Sequence, residues 1–265
     1  MSDRTQQQQQ QTTTLQARLK RTVLRLQFVW FAGHLLTVIS AALFVALGLF
    51  APRSRSYYFA LYGTLLSYGI ILYKSYGLPQ FNTEYLQRLV RDENTQYFVL
   101  ALLWTTSAPL SVALIPYATF SVLHVLNYTR NELIPNLVGQ GPRSTAMMQA
   151  ISKFVQSNHA KAIYFVANAE VWVIMPATIV TIFTGHTSLF TPVVYAQFLS
   201  FRYAFSPVTK LVFGQLDQTL DRYLMSNMSL PEWLRSAVRK TRDVVVYYGD
   251  LEARARAQAA AQQGR

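Results

Sequence analysis

Residues 28–50 read FVWFAGHLLTVISAALFVALGLF, twenty-three residues without a formal charge. As an α-helix this stretch is about 34 Å long, against a hydrocarbon core of roughly 30 Å. Its one ionisable side chain, His34, sits near the start and is readily neutral. A cleavable signal peptide has a shorter apolar core closer to the N-terminus. Here a polar arm of 27 residues comes first, so the stretch reads as an uncleaved anchor. The chain is expected to be an integral membrane protein.

The composition agrees. Of 265 residues, 51% are hydrophobic and 14% charged, whereas a soluble domain carries roughly 25% charged residues. Sixteen Phe, sixteen Tyr and four Trp exclude disorder as a description of the whole. The absence of Cys excludes disulfides, zinc–thiolate sites, a cysteine nucleophile and S-palmitoylation.

Working outward, residues 1–14 form a Gln/Thr-rich tail. Leu15, Leu19, Val23 and Leu26, interleaved with Arg18, Arg21 and Arg25, then read either as a short basic amphipathic helix or as a juxtamembrane charge cluster that only sets topology. Downstream, Tyr57 to Tyr73 is Tyr-rich with Gly63 and Gly69 inside, and only residues 51–56 separate it from the first block. Two apolar helices so closely joined form an antiparallel hairpin. A third block, Tyr97 to Leu126, is interrupted by Pro109 and Pro116, which predicts one kinked span or a re-entrant hairpin. A fourth, Ala162 to Phe183, carries Asn168, Glu170 and Pro176. A fifth, Ser188 to Phe205, follows the turn-like residues 184–187 and is expected to break at Pro192 and Arg202. The predicted class is all-α and multi-spanning. A cytosolic arm (1–27) leads to a membrane domain (28–205), then to a cytosolic region of amphipathic helices (206–265).

Charge suggests how the blocks fold. Residues 1–27 carry +4 (five basic, one acidic), 74–96 are balanced, 127–161 carry +3 (four against one) and 206–265 carry +3 (nine against six). The positive-inside rule then places the N-terminal arm, 127–161 and the C-terminal region in the cytosol. Three hairpins satisfy this placement: 28–73, a shallow one over 97–126, and 162–205.

Catalytic signatures are missing: no HExxH, GxSxG, Walker loop or GxGxxG occurs. No metal site, cofactor or catalytic residue is expected. Glu170 is the most pointed residue, because an intramembrane carboxylate is functional by default. Its bland alternative is a protonated or Asn168-assisted acid that locks one helix onto another. With Asn168 and His124 it forms the candidate intramembrane polar set. A channel, transporter or channel-regulating subunit would bring these three together.

The C-terminal region offers a different chemistry. Val208, Leu211, Val212, Leu216, Leu220, Tyr223 and Leu224 make a helical stripe, and Ser229 to Glu232 resembles a capping box. The helix beyond it has an apolar face of Trp233, Leu234, Ala237, Val238, Thr241, Val244, Val245 and Tyr248. Arg235, Arg239 and Arg242, with Lys240 nearby, lie on another. A Trp on the apolar side and a basic opposite side describe a helix lying on an anionic membrane. Trp233, Val238 and Val245 are expected to insert while Arg235, Arg239, Lys240 and Arg242 meet phosphates. A nuclear import receptor is the alternative reader of the basic face. Nucleic acid is not an expected partner, since the basic residues follow the membrane flanks.

Leu78-Pro79-Gln80-Phe81, Ile115 to His124 with Tyr128-Thr129, Met175-Pro176-Ala177-Thr178 and Phe198 to Tyr203 occur in this order. Over residues 28–205 the set resembles the transmembrane protein 33 family, which includes the fungal pore-membrane nucleoporin. Glu170 matches an acidic position of that family, with the Asn-Ala-Glu spacing shifted. The resemblance implies a non-enzymatic, multi-pass protein of the endoplasmic reticulum and nuclear envelope. It further implies association with reticulon-type membrane shapers, curved bilayer, and nuclear pore distribution or assembly. Animal relatives are linked to the stress response of the same organelle.

Overall fold

The structure, a computed structural model, describes residues 26–48, 55–80, 82–139, 141–183, 190–219, 222 and 231–263. The Gln/Thr tail, most of the basic amphipathic helix, the 51–54 link, the 184–187 turn, and Ser229 and Leu230 of the capping box lie outside the described residues, as does the side chain of Leu234. Every regular element among the described residues is helical. In order they are α1 (Leu26–Gly48), α2 (Arg55–Tyr76), α3 (Thr83–Arg91), α4 (Glu93–Thr106), a 3₁₀ turn (Ser111–Ala113) and α5 (Leu114–Tyr128). A π-segment (Thr129–Val138), α6 (Pro142–Asn168), a second π-segment (Ala169–Ile174), α7 (Met175–Phe183), α8 (Phe190–Phe205), α9 (Pro207–Thr219) and α10 (Glu232–Gln263) follow.

Proline placement explains most of these boundaries. Pro142 and Pro207 occupy the first position of α6 and α9, where the missing N–H is not needed. The predicted interruption of the third block is an end and a restart: α4 stops at Thr106 and α5 begins at Leu114. Pro192 falls in the first turn of α8, and Arg202 is buried inside that helix, so the fifth stretch does not break at either residue. Pro135 and Pro176 sit within or just after the two π-segments. Here the wider turn accommodates a residue that cannot donate and that crowds the carbonyl four residues back.

Among the described residues, three helical stretches are long and apolar enough to cross a bilayer: Leu26–Leu47, Ser111–Val138 and Pro142–Ile182. The last runs 41 residues without a break, about 60 Å at 1.5 Å per residue and twice the hydrocarbon thickness. Its first half carries Arg143, Lys153 and Lys161, so the apolar second half is the part suited to lipid. By contrast α4, with 14 residues, and α8, with 16, are shorter than a span requires.

The chain divides into two compact units, 1–80 with 117–160 and 81–116 with 161–265. In the first, α1 and α2 pack as the expected antiparallel hairpin. A Cβ on Gly33 would lie 2.7 Å from the Gly63 carbonyl, and one on Gly63 would lie 2.8 Å from Thr37 Oγ1. Glycine is required at both positions for backbones to approach this closely. Hydroxyls then bond across the seam. Thr37 Oγ1 lies 3.0 Å from the Ala60 carbonyl, and Ser67 Oγ donates to Trp30 O at 2.8 Å. In the second unit, α8 packs on α7, α9 and α10. Of the stripe predicted from Val208, the part up to Leu216 lies on α9, with Val212 and Leu216 buried and Leu211 exposed, while Leu220, Tyr223 and Leu224 lie outside the described residues.

Candidate functional site: a buried charge cluster and a C-terminal helix

Glu170 is the second residue of the second π-segment, where Met175 N–H bonds back to the Glu170 carbonyl. The side chain is fully buried, at 0% exposure. Tyr97 OH of α4 donates to Glu170 Oε1 at 2.6 Å, and Arg202 Nε of α8 donates to Oε2 at 3.3 Å. Arg202 also pairs through Nη1 with Glu93, whose side chain reaches the surface. Tyr195 OH donates to the Glu170 carbonyl at 3.0 Å, using an oxygen that already accepts the π-turn. The Arg202 guanidinium carbon sits 5.7 Å from the centre of the Tyr97 ring.

Around this network the aromatic rings of Trp104, Tyr195 and Phe198 pack against one another. Two carboxylates and a phenol thus surround one guanidinium in an apolar shell. Each buried polar atom has a partner, which is the condition for such a group to be tolerated at all. The arrangement clamps α4, the π-segment and α8 together.

The expected polar trio is engaged piecemeal. Asn168 does not assist Glu170; its amide donates to the Tyr164 carbonyl at 2.8 Å. It lines an open groove of about 480 Å³ with Ile115, Phe165, Ala169, Trp172 and Val173. That lining is apolar, and the carboxylate of Glu170 takes no part in it. His124 belongs to the first unit, with its ring 4.6 Å from His34 and 5.2 Å from Trp30. His34 Nδ1 lies 2.9 Å from Ser121 Oγ. Among the described residues, no group of three or more His, Cys, Asp or Glu is placed to hold a metal ion.

On α10 the structure corrects the reading of the apolar face. Val238 and Val245 are buried within the protein and are not free to insert into lipid. The packing of α10 on α8 explains this, and it is tight at Gly249, where a Cβ would be 2.6 Å from Tyr203 Cδ1 and 3.0 Å from Ser200 O. Arg242 lies on the same side, paired with Asp217 of α9 and, at 2.7 Å, with Asp243. The Asp217 hydrogen bond holds its guanidinium even more firmly protonated than usual. Arg235 is half-buried, whereas Arg239 and Lys240 are exposed. The outward apolar residues of α10 are Trp233, Val244, Tyr247, Tyr248 and Leu251. At 100° per residue they fall on one side of the helix, with Lys240 among them. The helix therefore has two apolar faces, one buried against protein and one exposed.

Residues that the sequence did not single out complete the cluster: Tyr97, Tyr195 and Glu93. A Tyr or Glu at the head of an apolar helix looks like an interface anchor, and no local spacing links residue 97 to residue 170.

The family described as Transmembrane protein 33/Nucleoporin POM33 matches residues 7–250. Nucleoporin POM33 of Chaetomium thermophilum is 29% identical over 241 residues, 82% of this chain and 84% of the relative. Tetra-spanning protein 1 of Schizosaccharomyces pombe is 27% identical over 248 residues, 89% of this chain and 88% of the relative. Transmembrane protein 33 of Homo sapiens is 26% identical over 204 residues, 76% of this chain and 81% of the relative. No solved structure matches the chain.

Proposed function

Because this chain belongs to the Transmembrane protein 33/Nucleoporin POM33 family, we propose that it is a non-enzymatic protein of the endoplasmic reticulum and nuclear envelope that shapes or stabilises curved membrane and supports nuclear pore distribution or assembly. The names of its relatives are those of membrane proteins and a nucleoporin. One observation carries the curvature reading: α10 is fixed to the protein by one face and offers Trp233, Val244, Tyr247, Tyr248 and Leu251 on the other. Arg239 and Lys240 are exposed on the same helix. Aromatic rings inserted at headgroup depth, with cations beside them, expand the leaflet they enter and favour a bilayer that bends toward it.

Both termini and residues 127–161 are cytosolic in this proposal, so α10 acts on the cytosolic leaflet. Reticulon-type shapers and nuclear pore components are the protein partners that fit such a role. A channel or transporter using Glu170 is the weaker reading, since the carboxylate is consumed by Tyr97 and Arg202 and the neighbouring groove is apolar.

The test uses the full chain in cells. Trp233→Ser with Tyr247→Ser and Tyr248→Ser should abolish enrichment on tubules and pore rims while the protein stays membrane-integrated. Unchanged distribution overturns the reading. If Arg239→Glu with Lys240→Glu moves the protein while the aromatic variant does not, a soluble receptor reads the helix by charge.

A further inference from the structure

We propose that α3 is a second membrane-surface helix, lying in the headgroup layer with Leu86 and Val90 turned into the upper acyl region of an anionic phospholipid leaflet. This rests on the chain being a membrane protein and is independent of the role given to α10. In the nine residues of α3, Thr83 to Arg91, apolar and polar side chains are sharply segregated. Tyr85 points into the protein and is buried. Leu86 and Val90, one turn apart and therefore on one face, are 50% and 49% exposed. Leu89 lies between the two orientations. The apolar band is wider than the protein covers, and the uncovered part faces outward.

The joint to α4 fixes where this band must lie. Asp92 is the whole connection: it ends α3, its N–H bonding Leu89 O at 3.1 Å, and it caps α4, its Oδ2 accepting from Thr95 N–H at 2.8 Å. Gln96 Nε2 then donates back to Val90 O at 2.9 Å. So α3 cannot swing freely from α4. Along α4, the step from Glu93 to Tyr97, where the uncharged block begins, is about 6 Å. The headgroup layer on each side of a bilayer is itself roughly 5–7 Å thick. With Tyr97 at the edge of the hydrocarbon, the joint between α3 and α4 lies at the depth of the lipid phosphates.

Position favours phospholipid over a neighbouring protein as the occupant, and an arginine on the polar side can meet its phosphate. Glu84 pairs with Arg88 at 3.7 Å across an exposed turn. Arg91 is exposed and has no ion-pair partner among the described residues. Leucine and valine directed toward hydrocarbon with an arginine at phosphate level match the two layers of a leaflet in order.

The chain has no Cys, so single-cysteine variants report without background. Leu86→Cys, Val90→Cys, Glu84→Cys and Gln87→Cys, all at exposed positions, are made in the full chain. Each is labelled with an environment-sensitive fluorophore and reconstituted into phosphatidylcholine–phosphatidylserine vesicles. Positions 86 and 90 should emit at shorter wavelength and be quenched by a lipid carrying a spin label high on its acyl chain. Positions 84 and 87 should be quenched by aqueous iodide instead. Iodide quenching at 86 and 90 overturns the proposal, because the face then meets water. Protection of both from iodide and from spin-labelled lipid also overturns it, because a protein then covers the face. Loss of the lipid quenching in the Arg88→Glu, Arg91→Glu background, with helicity retained by circular dichroism, supports phosphate contact.

Discussion

Replacing Arg202 with Met leaves the Glu170 carboxylate buried, with the Tyr97 hydroxyl as its remaining side-chain donor. Removing one partner of a buried ion pair costs about 3–5 kcal/mol, because the other charge is stranded. Folded proteins hold roughly 5–15 kcal/mol in reserve, so this one change consumes a large part of it. At about 2–4 °C per kcal/mol for a chain of this size, the expected fall in melting temperature is roughly 6–20 °C. Glu170→Gln is milder, since the amide oxygen still accepts from Tyr97 and Arg202 keeps Glu93. The double variant Glu170→Met, Arg202→Met strands no charge in the apolar shell and should recover most of the single-variant loss. Thermal scans of the full chain in detergent, read by fluorescence size-exclusion chromatography, measure all three. Arg202→Met within about 2 °C of the parent protein, or a double variant no more stable than Arg202→Met, refutes the clamp.

Gly63→Leu should disrupt the first hairpin, since even a Cβ there would crowd Thr37 Oγ1 at 2.8 Å; in the same thermal scan Gly214→Ala, where the added carbon meets nothing within 4 Å, should be neutral or gain up to about 1 kcal/mol. Gly249→Leu should detach α10 from α8, seen as early proteolytic loss of residues beyond 231 while the rest of the chain resists. An acceptor sequon placed near Gln140 should stay unglycosylated in microsomes if 127–161 is cytosolic. Efficient glycosylation there would favour four plain spans over three hairpins.

Some of this structure could be read from residues close together in the chain. The first hairpin follows from two apolar runs joined by a few residues, and the break between α4 and α5 follows from Pro109 and Pro116. The charge cluster was only half legible. Glu170 stands out as an acid in an apolar run, but Arg202 is 32 positions away and Tyr97 is 73. Helical period relates neighbours and is silent across helices. On α10 the period correctly grouped apolar residues and failed on their destination. A wheel assigns Val238, Val245 and Trp233 to one broad apolar arc; packing on α8 divides that arc, burying Val238 and Val245 and leaving Trp233 exposed. The same limit hid the outward face of α3, where Leu86 and Val90 lie together on a nine-residue helix that also carries Glu84, Arg88 and Arg91.

The cluster around Glu170 also sets an order of events during synthesis. Glu93 and Tyr97 have left the ribosome well before Glu170 does, but Arg202 emerges 32 residues later. During that interval a carboxylate must enter or wait beside the lipid, and a charged residue at the centre of a spanning helix costs about 2.5–3.5 kcal/mol to insert. Until α8 arrives, the segment carrying Glu170 bears that cost without its cationic partner. A nascent chain cut short before Arg202 would display an unmatched acid to the machinery that surveys newly made membrane proteins, and a finished chain would not.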